Sequence, residues 1–271
     1  MLGEIRQQEI VRLLTERGSV RIRDLTEQFG VSEETVRRDL KRLEAEGVLR
    51  RTHGGAILTE PVHRVPPPQV RAHQNLDAKR RIAQRAVELV PDRATVMLDN
   101  GSTTLEIARR LAERPVTVIT NDLAIAAELS GAWQVQLIVL GGTQQKGTLT
   151  LVGPECEESI RRYHVDVVFL GAGGISARQG LTTASSAEGP VKRAMMASGS
   201  RVYCVADRSK LGRAALVSYA RLDEVDAILT DGPGPDRMAA RAADAEDARG
   251  PDGSADELER LARHGARWIF A

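Results

Sequence analysis

Aromatic residues and lysine are scarce in this chain of 271 residues, and both scarcities limit what the protein can be. Aromatic side chains make up 3% of the sequence, so a hydrophobic core has to consist mainly of Val, Leu, Ile and Ala. The formal net charge is +1, so a nucleic-acid contact must come from a local basic cluster. Five of the 38 basic residues are lysine, and arginine does not replace a compact ammonium at every site.

Cysteine and long apolar runs are also in short supply. The two cysteines, Cys156 and Cys204, lie far apart without neighbours at metal-ligand spacing, which predicts buried free thiols in a reducing cytosol. No apolar run approaches the roughly 20 residues that span a bilayer, and the N-terminus has no signal-peptide pattern. We therefore expect a cytoplasmic protein that binds no metal and no membrane. The length of 271 residues allows two domains, each with its own core.

Three helices and a hairpin are predicted within residues 3–58. Apolar periodicity indicates helices at 4–17, 23–29 and about 32–46. Glycines at 18 and 47 are suited to end the outer two helices, and the glycine at 30 permits the turn between the second and third. Strands are expected at 48–51 and 56–58, around the turn Thr52-His53-Gly54-Gly55. A helix–turn–helix would then occupy about 20–39.

The third predicted helix has one apolar face and one basic face. On a helical wheel Val36, Leu40 and Leu43 point one way, whereas Arg38 and Lys41 point the opposite way. A basic helix followed by an Arg-rich hairpin suits a helix in a DNA groove with the hairpin on the backbone beside it. The alternative is a solvated amphipathic helix with i,i+4 charge pairs. The residues expected to contact DNA are Ser32, Glu34, Thr35, Arg37, Arg38, Lys41, Arg42, Arg50, Arg51 and His53.

Two roles for Glu34 remain open on the sequence. Its carboxylate can accept a hydrogen bond from cytosine N4, or it can support the helix N-terminus, where acidic residues suit the dipole. The hairpin residues Arg50, Arg51 and His53 are expected to touch the DNA backbone or minor groove, so they would position the protein rather than specify sequence.

A stiff Pro-rich linker, 59–75, is predicted to lead into a second domain at 76–231. This domain repeats a rhythm of apolar strand, loop and helix, which predicts an α/β fold with a mostly parallel sheet. Residues 232–255 are rich in Gly, Pro, Ala and Asp, a composition typical of a flexible insertion. A last helix and strand of the domain are expected within 256–271.

Four loops that follow predicted strands are suited to a small anion. Ser102, Thr103 and Thr104 open a helix after a strand, so backbone N–H groups and hydroxyls can cradle a phosphate. All four loops should meet at the carboxyl edge of the sheet, where open α/β folds bind ligands. The residues expected to bind an effector are Asp99, Asn100, Gly101, Ser102, Thr103, Thr104, Thr120, Asn121, Gly141, Gly142, Gly171, Gly173, Lys192, Asp207 and Lys210.

Each of these features also has a purely structural interpretation. A Gly-Gly pair is often a turn, Ser-Thr-Thr is often a helix cap, and Glu188 with Lys192 is open to interpretation as a surface i,i+4 pair. None of the loops matches a dinucleotide or Walker A fingerprint, so no cofactor is expected.

The segment Gln7–Ala56 resembles the winged helix–turn–helix of DeoR-type bacterial transcription regulators. Its matching pieces are Val31-Ser32, Thr35–Leu40, Leu43 with Gly47, and Arg51–Ala56. The resemblance continues through the second domain, at Asp99–Thr104, Thr120-Asn121, Leu140–Gly142, Gly171–Ile175, Glu188 with Lys192, and Asp207–Gly212. It implies a C-terminal sensor domain with the fold of ribose-5-phosphate isomerases, sugar-phosphate deaminases and CoA transferases. The sequence departs from the family at Asn100-Gly101-Ser102, where a small residue followed by Gly-Thr is commoner, and at the insertion.

The family resemblance implies a homo-oligomeric repressor, a dimer or a tetramer, which binds a double-stranded DNA operator of a carbohydrate-use operon. A phosphorylated sugar or related metabolite in the sensor domain would relieve repression. The rival interpretation is a sugar-phosphate isomerase or deaminase with an added DNA-binding module, in which Glu188, Asp207 and the two lysines Lys192 and Lys210 move protons. No pair of residues has spacing diagnostic of catalysis, so we predict no catalytic residue and no enzyme.

Overall fold

The computed structural model describes residues 3–45, 48–58, 71, 74–232 and 254–271. It divides the chain into two compact units, Met1–Leu76 and Asp77–Ala271. Most of the predicted linker, the glycine at 47 and most of the predicted insertion lie outside the described residues.

The first unit is a small helical domain with a three-stranded antiparallel sheet. Its elements in chain order are α1 (Gly3–Arg17), β1 (Ser19–Arg21), α2 (Ile22–Phe29), α3 (Glu33–Ala45), β2 (Leu49–Thr52) and β3 (Gly55–Leu58). The strand order is β1-β3-β2, so the β2–β3 hairpin pairs back onto a strand that the sequence did not predict. The hairpin position of Gly55 requires glycine, because a Cβ there would lie 1.9 Å from the carbonyl oxygen of Val20.

One apolar cluster fills this unit. Leu13 and Leu14 of α1 pack with Leu25 of α2, and with Val36 and Leu40 of α3. These residues follow the helical spacing seen in the sequence, and each is at most 1% exposed. Burial of whole Leu and Val side chains is worth roughly 1.5–3 kcal/mol each, which fixes α3 by its apolar face and leaves its other face to solvent.

The second unit alternates strands and helices as the sequence predicts. Its helices are α4 (Leu76–Val87), α5 (Ser102–Leu111), α6 (Leu123–Leu129), α7 (Pro154–Ile160), α8 (Glu188–Ser198) and α9 (Ser254–Arg263). Its strands are β4 (Thr95–Leu98), β5 (Thr117–Thr120), β6 (Gln136–Val139), β7 (Thr143–Gln144), β8 (Leu151–Val152), β9 (Val165–Gly171), β10 (Gly174–Ser176), β11 (Gly180–Thr183), β12 (Gly199–Val205), β13 (Val217–Ala220), β14 (Ala227–Thr230) and β15 (Trp268–Phe270).

Seven of these strands form one parallel sheet, in the order β15-β14-β12-β9-β4-β5-β6. Because successive side chains of a strand point to opposite faces, its apolar runs supply two separate cores. Val168 and Leu170 of β9 belong to one cluster, whereas Val167 and Phe169 belong to the other. The α/β prediction with a mostly parallel sheet is therefore confirmed.

Two smaller antiparallel features were not predicted. Strands β10, β11 and β13 form a separate three-stranded sheet, and β7 pairs with β8 in a hairpin that follows β6. The backbone of the segment that contains β8 also hydrogen-bonds to the chain just after β5, from Leu151 N to Asn121 O at 2.8 Å and from Leu123 N to Leu149 O at 2.8 Å. The hairpin therefore lies at the carboxyl end of the large sheet, where a ligand is expected.

Candidate DNA interface and candidate effector site

A tight turn and a side-chain cap set the start of α3. Gly30 adopts a left-handed conformation with φ of 63°, which ends α2. Two residues later the Ser32 hydroxyl accepts a hydrogen bond from the Thr35 amide at 3.3 Å. This is the cap that the sequence predicts, and it satisfies one of the amides left open at a helix N-terminus.

The outer face of α3 is exposed and mostly basic. Arg37, Arg38, Lys41 and Arg42 are exposed together with Glu34, while Thr35 is half-buried. On the hairpin the side chains of Arg50, Arg51 and His53 are exposed as well. The ten residues predicted to contact DNA thus lie on the surface of one unit. Six of them are on α3, three are on the β2–β3 hairpin, where His53 is in the turn, and Ser32 caps α3.

The basic residues of this face differ in their partners. Arg51 Nε donates to Glu44 Oε2 at 2.6 Å and the Arg51 amide donates to Glu44 Oε1 at 2.9 Å, so the hairpin is tied to α3. These hydrogen bonds lower the pKa of Glu44. Arg37 pairs with Glu33 one turn away at 3.3 Å. Among the described residues, Arg38 and Lys41 have no hydrogen-bond or ion-pair partner, which leaves both cations available to a ligand.

A buried ion pair joins the inner face of α3 to α1, and it was not predicted from the sequence. Asp39, at 4% exposure, accepts hydrogen bonds from Arg6 Nε at 2.6 Å and from Gln7 Nε2 at 2.8 Å, both on α1. The signal in the sequence was an acidic residue on the apolar side of α3, where a solvated carboxylate has no place. Its partners are 33 and 32 residues away, so periodicity alone does not reveal them.

At the carboxyl edge of the large sheet, a buried lysine and a buried aspartate form the centre of the second site. Asp99 follows β4, and its Oδ2 accepts hydrogen bonds from Lys192 Nζ of α8 and from the Gly171 amide, the latter at 3.0 Å. Lys192 Nζ also donates to the Gly171 carbonyl at 3.1 Å and lies 5.3 Å from the centre of the Tyr219 ring. Asp99, Gly171 and Lys192, predicted from three separate segments, therefore meet here.

The electrostatics of this cluster are dominated by burial. Burial raises the pKa of Asp99, and the ammonium of Lys192 opposes that rise. Burial also raises the pKa of the Tyr219 hydroxyl and raises that of the Cys204 thiol to about 12. Both groups therefore stay neutral at physiological pH, and Cys204 is an unreactive core thiol, as the sequence predicts. Cys156 is similar, since burial raises its pKa to about 11.

The loop after β5 combines helix capping with open hydrogen-bonding capacity. Asp122 caps α6 by accepting from the Ala124 amide at 2.7 Å and the Ile125 amide at 3.2 Å. Asn121 donates its Nδ2 to the Leu151 carbonyl at 2.8 Å. Among the described residues, Asn121 Oδ1 is buried without a hydrogen-bond partner, as are Asp99 Oδ1, Asn100 Oδ1 and Thr230 Oγ1. Buried oxygens without partners are rare and costly, so such a set suits a polar ligand or ordered water.

The N-terminus of α5 follows Asp99 and Asn100 along the chain. Gly101 precedes the helix with φ of 151° and provides no side-chain cap, while the Asp122 carboxylate interacts with the Gly101 amide. Thr104 turns its hydroxyl back onto the Gly101 carbonyl at 2.9 Å. The first helical amides, at Ser102 and Thr103, thus have no capping side chain, as an anion site at a helix N-terminus requires.

The remaining predicted effector residues divide into two groups. Gly141 and Gly142 are exposed, and a Cβ on Gly142 would lie 2.8 Å from the Val152 carbonyl oxygen, so close contact with the β7–β8 hairpin already accounts for glycine there. The others lie at the carboxyl ends of strands or in the loops and turn after them, namely Thr120, Gly173, Asp207 and Lys210. Asp207 caps the short 3-10 helix Arg208–Lys210 through the Ser209 amide at 3.1 Å.

Glu188 does not form the surface pair with Lys192 that its spacing allows. Its side chain is buried, accepts from Thr183 Oγ1, and accepts from Gln145 Nε2 at 3.1 Å. Gln145 in turn accepts from Ser185 Oγ at 2.6 Å. This network joins the β7–β8 hairpin to the start of α8 beside Lys192. Sequence reasoning did not find Gln145 and Ser185, because their partners lie 43 and 40 residues away, and it also missed Thr183, which bonds Glu188 close by in the chain.

Within the described part of the chain, no helix has the length and apolar character needed to cross a bilayer.

Two family models match the chain: the DeoR-like helix-turn-helix domain at residues 6–62 and the DeoR C terminal sensor domain at residues 74–232.

Known proteins resemble the chain over most of its length. The HTH-type transcriptional regulator GlpR of Haloferax volcanii is 37% identical over 86% of this chain and 91% of its own. The transcriptional repressor AccR of Agrobacterium fabrum is 39% identical over 83% of this chain and 88% of its own. Among solved structures, ribose 5-phosphate isomerase A of Methanocaldococcus jannaschii aligns with a TM-score of 0.38 and 22% identity, over 52% of this chain and 58% of the isomerase.

Proposed function

Since this chain belongs to the DeoR family of transcriptional regulators, we propose that it represses a carbohydrate-use operon and is released from the operator by a phosphorylated sugar. The DNA contact is made by the outer face of α3, with the β2–β3 hairpin on the neighbouring backbone. The repressing sign is supported by the AccR repressor, to which the chain is 39% identical.

The division of partners on the basic face supports separate roles for its residues. Arg38 and Lys41 have no partner among the described residues, so their charges are available to base edges and phosphates. An arginine that bonds guanine in bidentate fashion supplies about 1–3 kcal/mol of discrimination. Arg51 is held by Glu44, and a fixed guanidinium on the hairpin suits a phosphate contact that positions the protein without reading sequence.

The site at the carboxyl edge fits a ligand with an anionic end and a hydroxylated end. The open amides at the start of α5 suit a phosphate, as does the charge of Lys210. Asp99 follows β4 and Asn121 follows the neighbouring strand β5. Each lies two residues after a residue of the same core cluster, namely Met97 on β4 and Ile119 on β5. Their side chains therefore share a face, and Asp99 Oδ1 and Asn121 Oδ1 offer acceptors to sugar hydroxyls.

The unpartnered buried oxygens beside an uncapped helix N-terminus are the observation that carries the effector proposal. An isolated acceptor costs about 1–3 kcal/mol when buried. A polyol that satisfies several of them gains this free energy on binding, whereas an apolar ligand does not. The other effector residues named from the sequence, Gly141 and Gly142 included, are proposed because they lie in or beside the loops that follow the strands of the sheet.

The regulator acts as a homo-oligomer. Two α3 helices that read successive turns of one DNA face must lie about 34–36 Å apart. A ligand that favours a state with another spacing lowers operator affinity, and a coupling of about 1–3 kcal/mol changes it 5- to 150-fold.

A thermal-shift screen of phosphorylated pentoses and hexoses, each beside its unphosphorylated parent, tests the effector class. A ligand that binds only the native protein raises the melting temperature, and we expect shifts only with the phosphorylated sugars. Lys210→Ala should abolish the shift and spare DNA binding, while Arg162→Ala, at an exposed arginine of the same unit, should change neither. Equal shifts with parent and phosphorylated sugar would refute the phosphate requirement.

We propose no catalytic role for the site. Glu188, a possible proton carrier in an isomerase, is engaged by Thr183 and Gln145. Incubation of the purified protein with pentose and hexosamine phosphates should leave them unchanged, and turnover would favour the enzyme instead.

A further inference from the structure

The outer edge of the large sheet at β6 differs in composition from the rest of the chain. From Leu129 to Gln145 the sequence contains no charged residue over 17 positions, although 28% of the whole chain is charged. Edge strands of soluble proteins are normally protected from pairing by lysine, proline or a bulge. Strand β6 has none of these between Gln136 and Val139, so nothing in its sequence opposes the addition of another strand.

This segment is also unusually exposed for an apolar one. Of the positions 130–149, every one except Leu140 is exposed or half-exposed. Trp133 is 94% exposed, Leu149 is 47% exposed and Val139 is 45% exposed. A standard protein interface takes about 20–30 residues from each partner, and these twenty positions are close to that size.

The backbone of β6 offers an ordered set of donors and acceptors. Gln136 N donates to Val116 O at 3.0 Å and Leu140 N donates to Thr120 O at 2.9 Å, so alternate residues face β5. Because a strand repeats every two residues, the N–H and C=O groups of Leu137 and Val139 face the open edge. No other strand among the described residues pairs there.

We propose that this edge is the interface with a second copy of the same chain, formed by antiparallel pairing of β6 with its counterpart across a two-fold axis. In an isologous contact each residue near the axis faces itself or a near neighbour, so a charge there would meet a like charge. The uncharged run avoids that repulsion. The proposal rests on the homo-oligomer of the proposed function, and its test requires neither DNA nor sugar.

The free backbone groups select one register. If Ile138 faces Ile138 of the partner subunit, Leu137 of each copy faces Val139 of the partner subunit, and both N–H and C=O groups of these residues find partners. A shift of two residues in one direction would place Val135 in the ladder, whose N–H is already bonded to Ala132 O at 2.8 Å. The opposite shift would place Gly141 in the ladder, which lies beyond the end of β6 at Val139. The two-fold axis therefore passes beside Ile138.

Analytical ultracentrifugation of the full chain and of two edge variants tests the surface. Val139→Lys brings a charge to the axis, and we expect its assembly to fall to half the wild-type mass or less at micromolar concentration. Phe270→Lys is the matched control, because Phe270 is 47% exposed on β15, the opposite edge strand, and it should keep the wild-type mass. A monomeric wild type, an unaffected Val139→Lys or a dissociated Phe270→Lys would overturn the proposal.

A cross-link tests the register even if Val139→Lys fails to fold. Non-hydrogen-bonded partners in an antiparallel ladder have Cα atoms about 4.5 Å apart, within the range that a disulfide spans. Ile138→Cys should thus give a covalent dimer on mild oxidation, whereas Phe270→Cys should not. The native Cys156 and Cys204 are 0% exposed and give little background. Absence of the Ile138→Cys cross-link in a dimeric sample would contradict this register.

A monomeric wild type would reject both this interface and the homo-oligomer of the proposed function. If the wild type is dimeric and the variants on β6 neither dissociate nor cross-link, only the assignment of the interface to β6 is rejected. DNA binding and thermal shifts by sugars are measured separately, so failure here leaves the reading of α3 and of the effector site unchanged.

Discussion

The two candidate sites use charge in opposite ways. On α3, Arg38 and Lys41 are exposed and have no partner among the described residues, whereas at the carboxyl edge Lys192 is 3% exposed and bonded to Asp99. An exposed cation stays hydrated at little cost in free energy, and its charge is available to a highly charged partner. A buried cation must be paired, so its contribution is to shape a pocket and not to attract a ligand over distance.

This difference predicts where each kind of substitution does its damage. Changes on the exposed face of α3 should affect DNA affinity with little effect on stability, because no packing is lost there. Changes in the buried cluster should affect the free energy of unfolding first and ligand response as a consequence.

Lys192→Ala should have the largest effect. It leaves the Asp99 carboxylate buried without its cation, and removal of one partner of a buried pair costs about 3–5 kcal/mol. We expect urea unfolding of the sensor unit to shift by that amount, while Arg162→Ala, at an exposed arginine, leaves it unchanged. A loss below about 1 kcal/mol would mean that the pair contributes no more than surface pairs do.

Arg38→Ala should come next and should act only on DNA. Loss of a bidentate base contact costs about 1–3 kcal/mol and relaxes preference at one position of the operator. Fluorescence anisotropy with operator variants measures both effects, and the melting temperature should not move. Arg162→Ala, at an exposed arginine of the other unit, is the control. Unchanged operator affinity in Arg38→Ala would contradict the proposal that α3 lies in the DNA groove.

Arg51→Ala should have a smaller and uniform effect. If Arg51 contacts a phosphate, its loss should weaken binding to all DNA sequences alike. It should also lower the magnitude of the slope of log affinity against log salt concentration by about 1. Glu44→Gln weakens the support of Arg51 and should reduce affinity in the same direction by less. A change in sequence preference in Arg51→Ala would instead assign a base contact to the hairpin.

Asp122→Asn should have the smallest effect, visible as a change in pH dependence. Burial raises the pKa of Asp122 above its ordinary 3.8, so the folded chain holds this proton more tightly than the unfolded chain. The resulting stability is fully present below pH 3.8 and is lost as pH rises through the raised pKa. Asparagine keeps the cap of α6 without the charge.

The stability of the wild type relative to Asp122→Asn should therefore fall with rising pH across that window, as denaturant titrations at several pH values would show. A difference that grows with pH would reverse the sign and place Asp122 among stabilising carboxylates.

The sequence predicts the parts of this protein that repeat a simple period. Apolar runs such as Val165–Leu170 locate the strands of the sheet, and the spacing of Val36, Leu40 and Leu43 locates the buried face of α3. The proximity of Asp99 and Gly171 followed from topology, because the carboxyl ends of parallel strands converge, whereas the position of Lys192 depends on how α8 packs beside them.

The features that escaped prediction depend on single polar contacts between distant residues. Asp39 with Arg6 is one case, and Glu188 with Gln145, 43 residues away, is another. Short strands such as Ser19–Arg21 leave no periodic signal, because three residues are too few. The close contact of Gly142 with the β7–β8 hairpin was not predicted either. In the sequence, a glycine required by contact with a neighbouring hairpin cannot be distinguished from a glycine required by contact with a ligand.

The coupling between the two sites is the central claim, and operator affinity measured with and without effector tests it most directly. A labelled DNA fragment from the neighbourhood of the gene is titrated with protein at moderate salt, alone and with the phosphorylated sugar that gives the largest thermal shift. The account predicts tight binding without sugar and an affinity 5- to 150-fold lower with it. An affinity that is the same in both titrations, or no binding to the fragment by the folded protein, would contradict it.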